Sequence, residues 1–189
     1  MNTLAKYTTV LALLALNVFA AENSDTPTDD AKLYAGGISK DAAIVVHAFD
    51  VSGADLGKFK HLDTATRSAE TAPHLLAVDI VETLRGHGFS NITLSDSSEP
   101  AGDALQLVGH FTEINPGSQA TRAWIGFGAG ASKVCVTGTL QTAAGDKIGE
   151  FKDCEKGLGW GDSSKQTSGE ATRIGANIGQ LLYNWTATP

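Results

Sequence analysis

The chain has 189 residues, of which 42% are hydrophobic, and it carries a formal net charge of −7 at pH 7. This length suits one domain with a substantial apolar core and is short for two domains. A phosphate backbone would repel an acidic chain that contains no run of Lys or Arg, which argues against nucleic-acid binding.

The first 20 residues have the pattern of a secretory signal peptide. Lys6 is their only charged residue, residues 10–16 are apolar, and Val18 and Ala20 stand at cleavage spacing. Removal of residues 1–20 leaves 13 basic against 21 acidic residues, a formal net charge of −8. An uncleaved anchor is the alternative, but the apolar run is about half of the roughly 20 residues that a membrane-spanning helix needs. No cysteine lies nearby to accept a lipid, so we expect a soluble mature protein.

Residues 21–40 are rich in Asp, Thr, Ser and Pro and predict a disordered lead-in, so we place the single domain at residues 41–187. Residues 42–49 are apolar on both faces and predict an interior strand. A helix follows, with Thr71 as its N-cap, Pro73 in its first turn, and Gly86 and Gly88 as its stop signal.

The second half of the chain predicts further strands at residues 91–94, 105–114, 133–141 and 147–154, the last two forming a hairpin. A final helix is expected to begin with a capping box of Thr167 and Glu170. Its apolar stripe comprises Ile174, Ile178, Leu181, Leu182 and Trp185, beside the small residues Ala171, Gly175 and Gly179. We expect these small residues to allow close packing against the sheet.

Taken in chain order, these elements predict an α/β fold. We expect a single two-layer sandwich, with a mostly antiparallel sheet of about five strands covered by two amphipathic helices.

Cys135 and Cys154 are the two cysteines of an exported chain, which favours a disulfide bond. If the hairpin turn is centred between Ala144 and Gly145, the two cysteines lie directly opposite each other, about 5 Å apart at Cα. A three-residue loop with a glycine bulge would shift the register by one residue and weaken this prediction.

The most distinctive segment is glycine-rich and spans residues 122–130. Its candidate binding residues are Arg122, Trp124, Gly126, Gly128 and Gly130. Residues 126–131 formally fit the dinucleotide pattern G-x-G-x-x-G/A, but that pattern needs a following helix and a strand is expected here. The structural interpretation is a strand or loop whose glycines let another backbone or ring lie close. The functional interpretation is a segment that contacts a partner protein or a membrane surface.

No set of residues forms a catalytic signature, so we assign no catalytic residue and no cofactor. Asp50, His110 and Glu113 are the candidates for an acid or base, but no nucleophile motif such as G-x-S-x-G accompanies them. His110 and Glu113 are three apart on a strand and are expected on opposite faces. The five histidines are scattered, with no pair at ligand spacing, which argues against a zinc site.

The run from Gly109 to Gly130, together with Ala144, Gly145 and Phe151, resembles the bacterial family known as domain of unknown function 4410. The resemblance covers nearly the whole mature chain, including the strand that ends at Asp50 and both helices. It implies an exported bacterial protein of the periplasm and implies no activity. The chain departs from the family pattern in lacking a lipid-attachment cysteine and in having the cysteine pair.

We therefore expect a non-enzymatic accessory or binding protein of the cell envelope, with no transmembrane span, that engages an envelope protein through a sheet edge or through residues 122–130. A periplasmic enzyme of hydrolase type is one alternative. A secreted effector or inhibitor is another.

Overall fold

The computed structural model describes residues 27–34, 36–57, 61–95, 102–118, 121, 124, 130–157 and 162–186. Within these residues the chain forms six strands and two helices. They are β1 (Asp30–Leu33), β2 (Ile44–His47), α1 (Leu62–Gly86), β3 (Ile92–Ser95), β4 (Leu105–Asn115), β5 (Ser132–Gln141), β6 (Lys147–Gly157) and α2 (Ser163–Asn184).

One sheet contains all six strands, in the order β1-β6-β5-β4-β2-β3. β2 pairs in parallel with both β3 and β4, whereas the pairs β4–β5, β5–β6 and β6–β1 are antiparallel. The prediction of an α/β fold with two helices is confirmed, but the sheet is mixed and has six strands, not mostly antiparallel with five. The parallel pair follows from the chain path, because a helix between two neighbouring strands returns the chain in the same direction.

The sixth strand is β1, which lies inside residues 21–40. A disordered lead-in was predicted there, and that prediction is wrong for Asp30–Leu33, which pair with Lys152 to Gly149 of β6. Four residues with intermediate and exposed side chains in alternation give a weak signal, because an edge strand buries little apolar surface.

Helix α1 is longer than predicted, since it begins at Leu62 and includes Pro73 in its interior. Thr71 is not its N-cap: the Thr71 hydroxyl donates to the backbone carbonyls of Arg67 and Ser68 within the helix. The first turns are polar and bury only the small side chains of Ala65 and Ser68. The apolar periodicity therefore becomes strong only later in the helix.

Helix α2 also begins earlier than predicted, with Asp162 as its N-cap. The Asp162 carboxylate accepts hydrogen bonds from the backbone N–H groups of Ser164 and Lys165. Thr167 and Glu170 are buried inside the helix and do not form a capping box. The predicted apolar stripe is confirmed, with Ile174, Ile178, Leu181 and Leu182 fully buried.

The two glycines of this stripe in α2, Gly175 and Gly179, contact helix α1, and not the sheet as expected. A Cβ atom on Gly175 would lie 2.5 Å from the Leu76 carbonyl oxygen, and one on Gly179 would lie 2.6 Å from Cβ of Thr83. The two helices therefore approach each other at backbone distance and form one layer on the sheet.

Glycines in the sheet make room for aromatic rings on the face that the helices cover. Gly109 and Gly138 lie directly opposite each other on β4 and β5. A Cβ atom on either glycine would lie 2.3 Å from a ring, that of Phe49 or Phe151 respectively. These two rings stack with their centroids 6.4 Å apart, in the space that side chains at the two glycine positions would otherwise occupy.

Neither helix of the described chain combines the length and the apolar character that crossing a membrane requires.

Candidate functional site

The sheet has one face without a helix among the described residues, and we call it the bare face. Helices α1 and α2 pack through the apolar core on the other face, where Phe111, Val136 and Leu140 are buried. Because side chains alternate along a strand, the intervening residues of β4, β5 and β6 point to the bare face.

A row of directly paired residues crosses the bare face and is mainly polar. The row consists of Asp30, Lys152, Thr137, His110 and Asp50, on β1, β6, β5, β4 and the segment after β2. A second row beside it consists of Lys32, Glu150, Thr139 and Val108. Together these residues line a concavity of about 640 Å³. Its volume is within the range of small-molecule sites.

Asp50 lies at one end of this concavity and is held by a local turn. Both of its carboxylate oxygens accept hydrogen bonds from Ser52, one from the side chain and one from the backbone N–H at 2.9 Å. These hydrogen bonds hold the pKa of Asp50 below its usual range. Asp50 is therefore a fixed negative charge, which does not suit it to donate a proton.

His110 lies beside Asp50 and is exposed, with its Nε2 3.1 Å from the Thr137 hydroxyl. The structure thus brings two of the three candidate acid–base residues together in one concavity. His47 does not join them, since it is buried with its Nε2 2.6 Å from Oε1 of Gln106.

Glu113, the third candidate, lies outside the residues that line the concavity. The expectation that His110 and Glu113 point to opposite faces is wrong, because a β-bulge at Thr112 adds one residue between them. His110 pairs with Thr137 and Glu113 pairs with Cys135, and these two partners share a face of β5. Lys133 donates to Glu113 at 2.6 Å, so this carboxylate is in an ion pair.

The disulfide between Cys135 and Cys154 is present and lies in the predicted hairpin register. The two residues are directly paired on β5 and β6, with their Cα atoms 4.1 Å apart. The register shift that would have weakened the prediction occurs only beyond Leu140, next to the turn. Neither sulfur is available as a nucleophile while the bond is intact.

Of the predicted binding residues, Trp124 and Gly130 are within the described part of the chain. Trp124 is 90% exposed, the largest exposed fraction of any large apolar side chain that the structure describes. Gly130 has a φ of 74°, and a Cβ atom there would lie 2.7 Å from the Ser118 carbonyl oxygen. Arg122, Gly126 and Gly128 lie outside the described residues.

Strand β5 begins at Ser132, directly after the glycine-rich segment. A dinucleotide-binding loop requires a helix at this point, because the amide groups at the N-terminus of that helix bind the phosphates. The strand found here therefore does not fit the dinucleotide pattern.

A buried polar cluster that the sequence analysis did not predict lies near the start of β5. The Ser132 hydroxyl donates to Glu170 of α2, which is completely buried, and Ser132 also lies 3.1 Å from Oε1 of Gln166. The exposed Lys152 and the half-buried Thr137 and Thr139 of the concavity were also missed. The polar alternation of β5 and β6 was the available signal for them.

No three His, Cys, Asp or Glu side chains in the described ranges converge as they would around a metal ion.

A mixed sheet with two helices on one face makes the chain a two-layer α/β protein. Comparison with known proteins shows which family of such proteins it belongs to. The family model described as "Domain of unknown function (DUF4410)" matches residues 38–161. The chain therefore belongs to this family, as the resemblance in its sequence had indicated. No curated protein matches the chain.

Solved structures with a similar fold include two of PelC from Paraburkholderia phytofirmans. The PelC dodecamer in space group P6 is 13% identical, with a TM-score of 0.51, and the match covers 79% of this chain and 96% of that chain. A dodecamer of a PelC variant with one substitution, in space group C2, is 14% identical, with a TM-score of 0.49, and the match covers 79% of this chain and 98% of that chain. At 13% identity, the match to the first of these structures shows a common fold.

Proposed function

We propose that the protein is a non-enzymatic accessory or binding protein of the bacterial cell envelope, exported to the periplasm, where it binds a protein partner through the surface around Trp124. The exposure of the Trp124 side chain, 90%, carries this proposal. Tryptophan is enriched at protein interfaces because it combines a large apolar surface with one polar N–H group.

The size of the Trp124 side chain makes it a strong anchor for a partner. A Trp side chain buries roughly 150–250 Å² in a contact, which at about 25 cal/mol per Å² corresponds to about 4–6 kcal/mol before the costs of association. One such anchor is enough for an interface hot spot.

The periplasmic location is supported by two features of different origin. The first 20 residues have the pattern of a signal peptide, and Cys135 and Cys154 form a disulfide, which persists in oxidising compartments. Release into the medium is the expectation for a secreted effector or inhibitor, so fractionation of cells, periplasm and medium separates the two locations.

A second copy of this chain is one candidate partner. PelC, which shares the fold, is a dodecamer in its solved structures. We propose self-association as the first form of partner binding to test.

The test is site-specific photo-crosslinking in living cells, with a photoreactive amino acid at position 124. The matched control places the same probe at Leu62, an apolar residue that is 38% exposed on α1. We expect a discrete adduct from position 124 and none from position 62. An adduct of twice the mass of the chain identifies self-association, and a different mass identifies another envelope protein.

Absence of an adduct at position 124 in a folded, oxidised protein would contradict the proposal. Equal labelling from both positions would do the same, since it would indicate non-specific collisions.

A hydrolase is the second candidate function, because Asp50 and His110 line one concavity. The turn after β2 argues against this function, because both carboxylate oxygens of Asp50 accept hydrogen bonds from Ser52. Hydrolysis of a general ester substrate that is lost on His110→Gln would favour this function over the accessory role.

A further inference from the structure

We infer that the concavity on the bare face binds a small zwitterion of the dipeptide class, with its carboxylate at Lys152 and its ammonium group at Asp50. This inference is independent of the proposed function, because it concerns a different surface from Trp124.

The first feature of this site is a lysine side chain that is available to a ligand, that of Lys152. Its side chain is exposed and lines the concavity, and within the described part of the chain it is in no ion pair or hydrogen bond. Asp30 is its direct partner across β1 and β6, yet the two do not form a salt bridge. An ammonium group in a concavity therefore has its hydrogen-bonding capacity free for a ligand.

The second feature of this site is a pair of threonine hydroxyl groups beside the Lys152 ammonium group. Thr137 pairs directly with Lys152, and Thr139 lies two residues further along β5 on the same face. A carboxylate accepts hydrogen bonds from an ammonium group and from hydroxyls together, and such charge-assisted bonds are the strong ones. This part of the concavity fits a carboxylate.

The third feature of this site is a negative charge, the Asp50 carboxylate, at the other end of the row. Asp50 lies three strand spacings from Lys152, about 14 Å at the backbone. Its hydrogen bonds with Ser52 keep it ionised and fix its orientation, and a carboxylate still has room to accept a further donor. An extended dipeptide measures about 7 Å at about 3.5 Å per residue, and a hydrogen bond of about 2.9 Å at each end brings its reach to about 13 Å, close to this separation.

The remaining charges of the concavity narrow the class of ligand. Glu150 is already bound by Tyr34 and by Lys147 at 2.9 Å, and the Lys32 ammonium group lies 4.6 Å from the centroid of the Tyr34 ring. A ligand with only negative charge would be repelled by Asp30 and Asp50. A ligand with only positive charge would leave Lys152 without a partner, so a ligand with both charges is the best match.

The test uses three related probes and nuclear magnetic resonance of the full mature protein. L-Ala-L-Ala carries both charges, L-Ala-L-Ala-amide carries only the ammonium group, and N-acetyl-L-Ala-L-Ala carries only the carboxylate. We expect L-Ala-L-Ala to shift the amide signals of Thr137, Gly138, Thr139 and Lys152 in the millimolar range. Loss of either charged group should weaken binding about tenfold, the typical value of one hydrogen bond to a charged group.

The variants separate the two ends of the proposed site. Lys152→Gln should weaken L-Ala-L-Ala about tenfold and leave L-Ala-L-Ala-amide unchanged, because only the carboxylate contact is removed. Lys156→Gln is the matched control, an exposed lysine on the same strand and face outside the concavity, and it should change nothing. Both positions are exposed, so neither change threatens the fold.

Equal affinity for all three probes would overturn the inference, as would a Lys152→Gln variant that binds like the parent. Shifts of the same amides by a neutral disaccharide but by no dipeptide would assign the concavity to polyhydroxylated ligands instead. No shift with any dipeptide at millimolar concentration would leave the bare face without this function.

Discussion

Asp153 is a buried carboxyl group whose surroundings strongly change its acidity. It is 2% exposed on β6, facing α2, and its carboxylate accepts a hydrogen bond from Asn177 at 3.0 Å. Burial is the main cause that raises its pKa to about 6, and the negative charges of Asp29 and Glu155 add to the rise, while the hydrogen bond from Asn177 opposes it. The charged form is therefore disfavoured in the folded protein.

The first prediction follows from this carboxyl group. Its pKa is raised in the folded state, so the stability it contributes is present below its unfolded value of 3.8 and is lost as the pH rises through about 6. Asp153→Asn keeps the shape and removes the charge. We expect this variant to be about 1–2 kcal/mol more stable than the parent at pH near 7.5, allowing for solvent screening, and equally stable near pH 4.

Urea denaturation across this pH range measures the effect. Asp103→Asn, at an exposed turn residue, is the control and should follow the parent at every pH. A difference between Asp153→Asn and the parent that does not change with pH would contradict the explanation.

At the scale of elements, the two helices depend on glycines, and the hairpin depends on a disulfide. Gly175 and Gly169 are both within α2, but only Gly175 meets the backbone of α1. The hairpin of β5 and β6 is closed by Cys135 and Cys154, which are 19 residues apart. We therefore expect a glycine of α2 to be essential where it meets the backbone of α1 and replaceable where it does not.

The second prediction concerns the contact between the helices. Gly175→Ala should destabilise the protein by about 1–3 kcal/mol, because its Cβ would lie 2.5 Å from a carbonyl oxygen that cannot move alone. Gly169→Ala is the matched control, with its nearest neighbour the flexible end of Arg173 at 3.6 Å. It should stabilise by about 0.5–1 kcal/mol, through helix propensity. Urea midpoints of the two variants should move in opposite directions, and equal shifts would refute the close contact.

The third prediction concerns the disulfide. Replacement of both cysteines by serine should lower the free energy of unfolding by about 2–4 kcal/mol, because the cross-link restricts the unfolded chain. Thermal or urea unfolding of the parent with and without a reductant tests this, and reductant should not affect the double variant. An unchanged midpoint on full reduction would show that the paired strands hold the hairpin without the bond.

At the scale of the whole molecule, the parts predicted from the sequence are those with strong periodic or pairwise signals. The apolar stripe around Ile174 and the pairing of Cys135 with Cys154 are examples, since each depends on short-range spacing. The start of α1 was missed because Ala65 and Ser68 bury little, and β1 because it pairs with a strand far away in the sequence.

The candidate site was harder to predict than the fold. Lys152 and Asp50 are far apart in the chain, and only the sheet order places them on one row. The bulge at Thr112, which puts His110 and Glu113 on the same face, has no signal in the local sequence. Trp124 was a candidate because it lies in the glycine-rich segment; the structure shows its exposure, whereas its binding role stays a prediction.

The position of β1 has a consequence for the order in which the protein assembles. Among the strands that the structure describes, β1 is the first along the chain, whereas its partner β6 is the last. During synthesis or export from the N-terminus, the backbone groups of Asp30–Leu33 have no pairing partner until β6, near the end of the domain, has emerged. Strands β4, β5 and β6 are consecutive both along the chain and in the sheet, and a short turn joins β5 to β6, so we expect strand pairing to begin there. We therefore expect β1 to be the last strand to pair, adding to the edge of a sheet that has already formed.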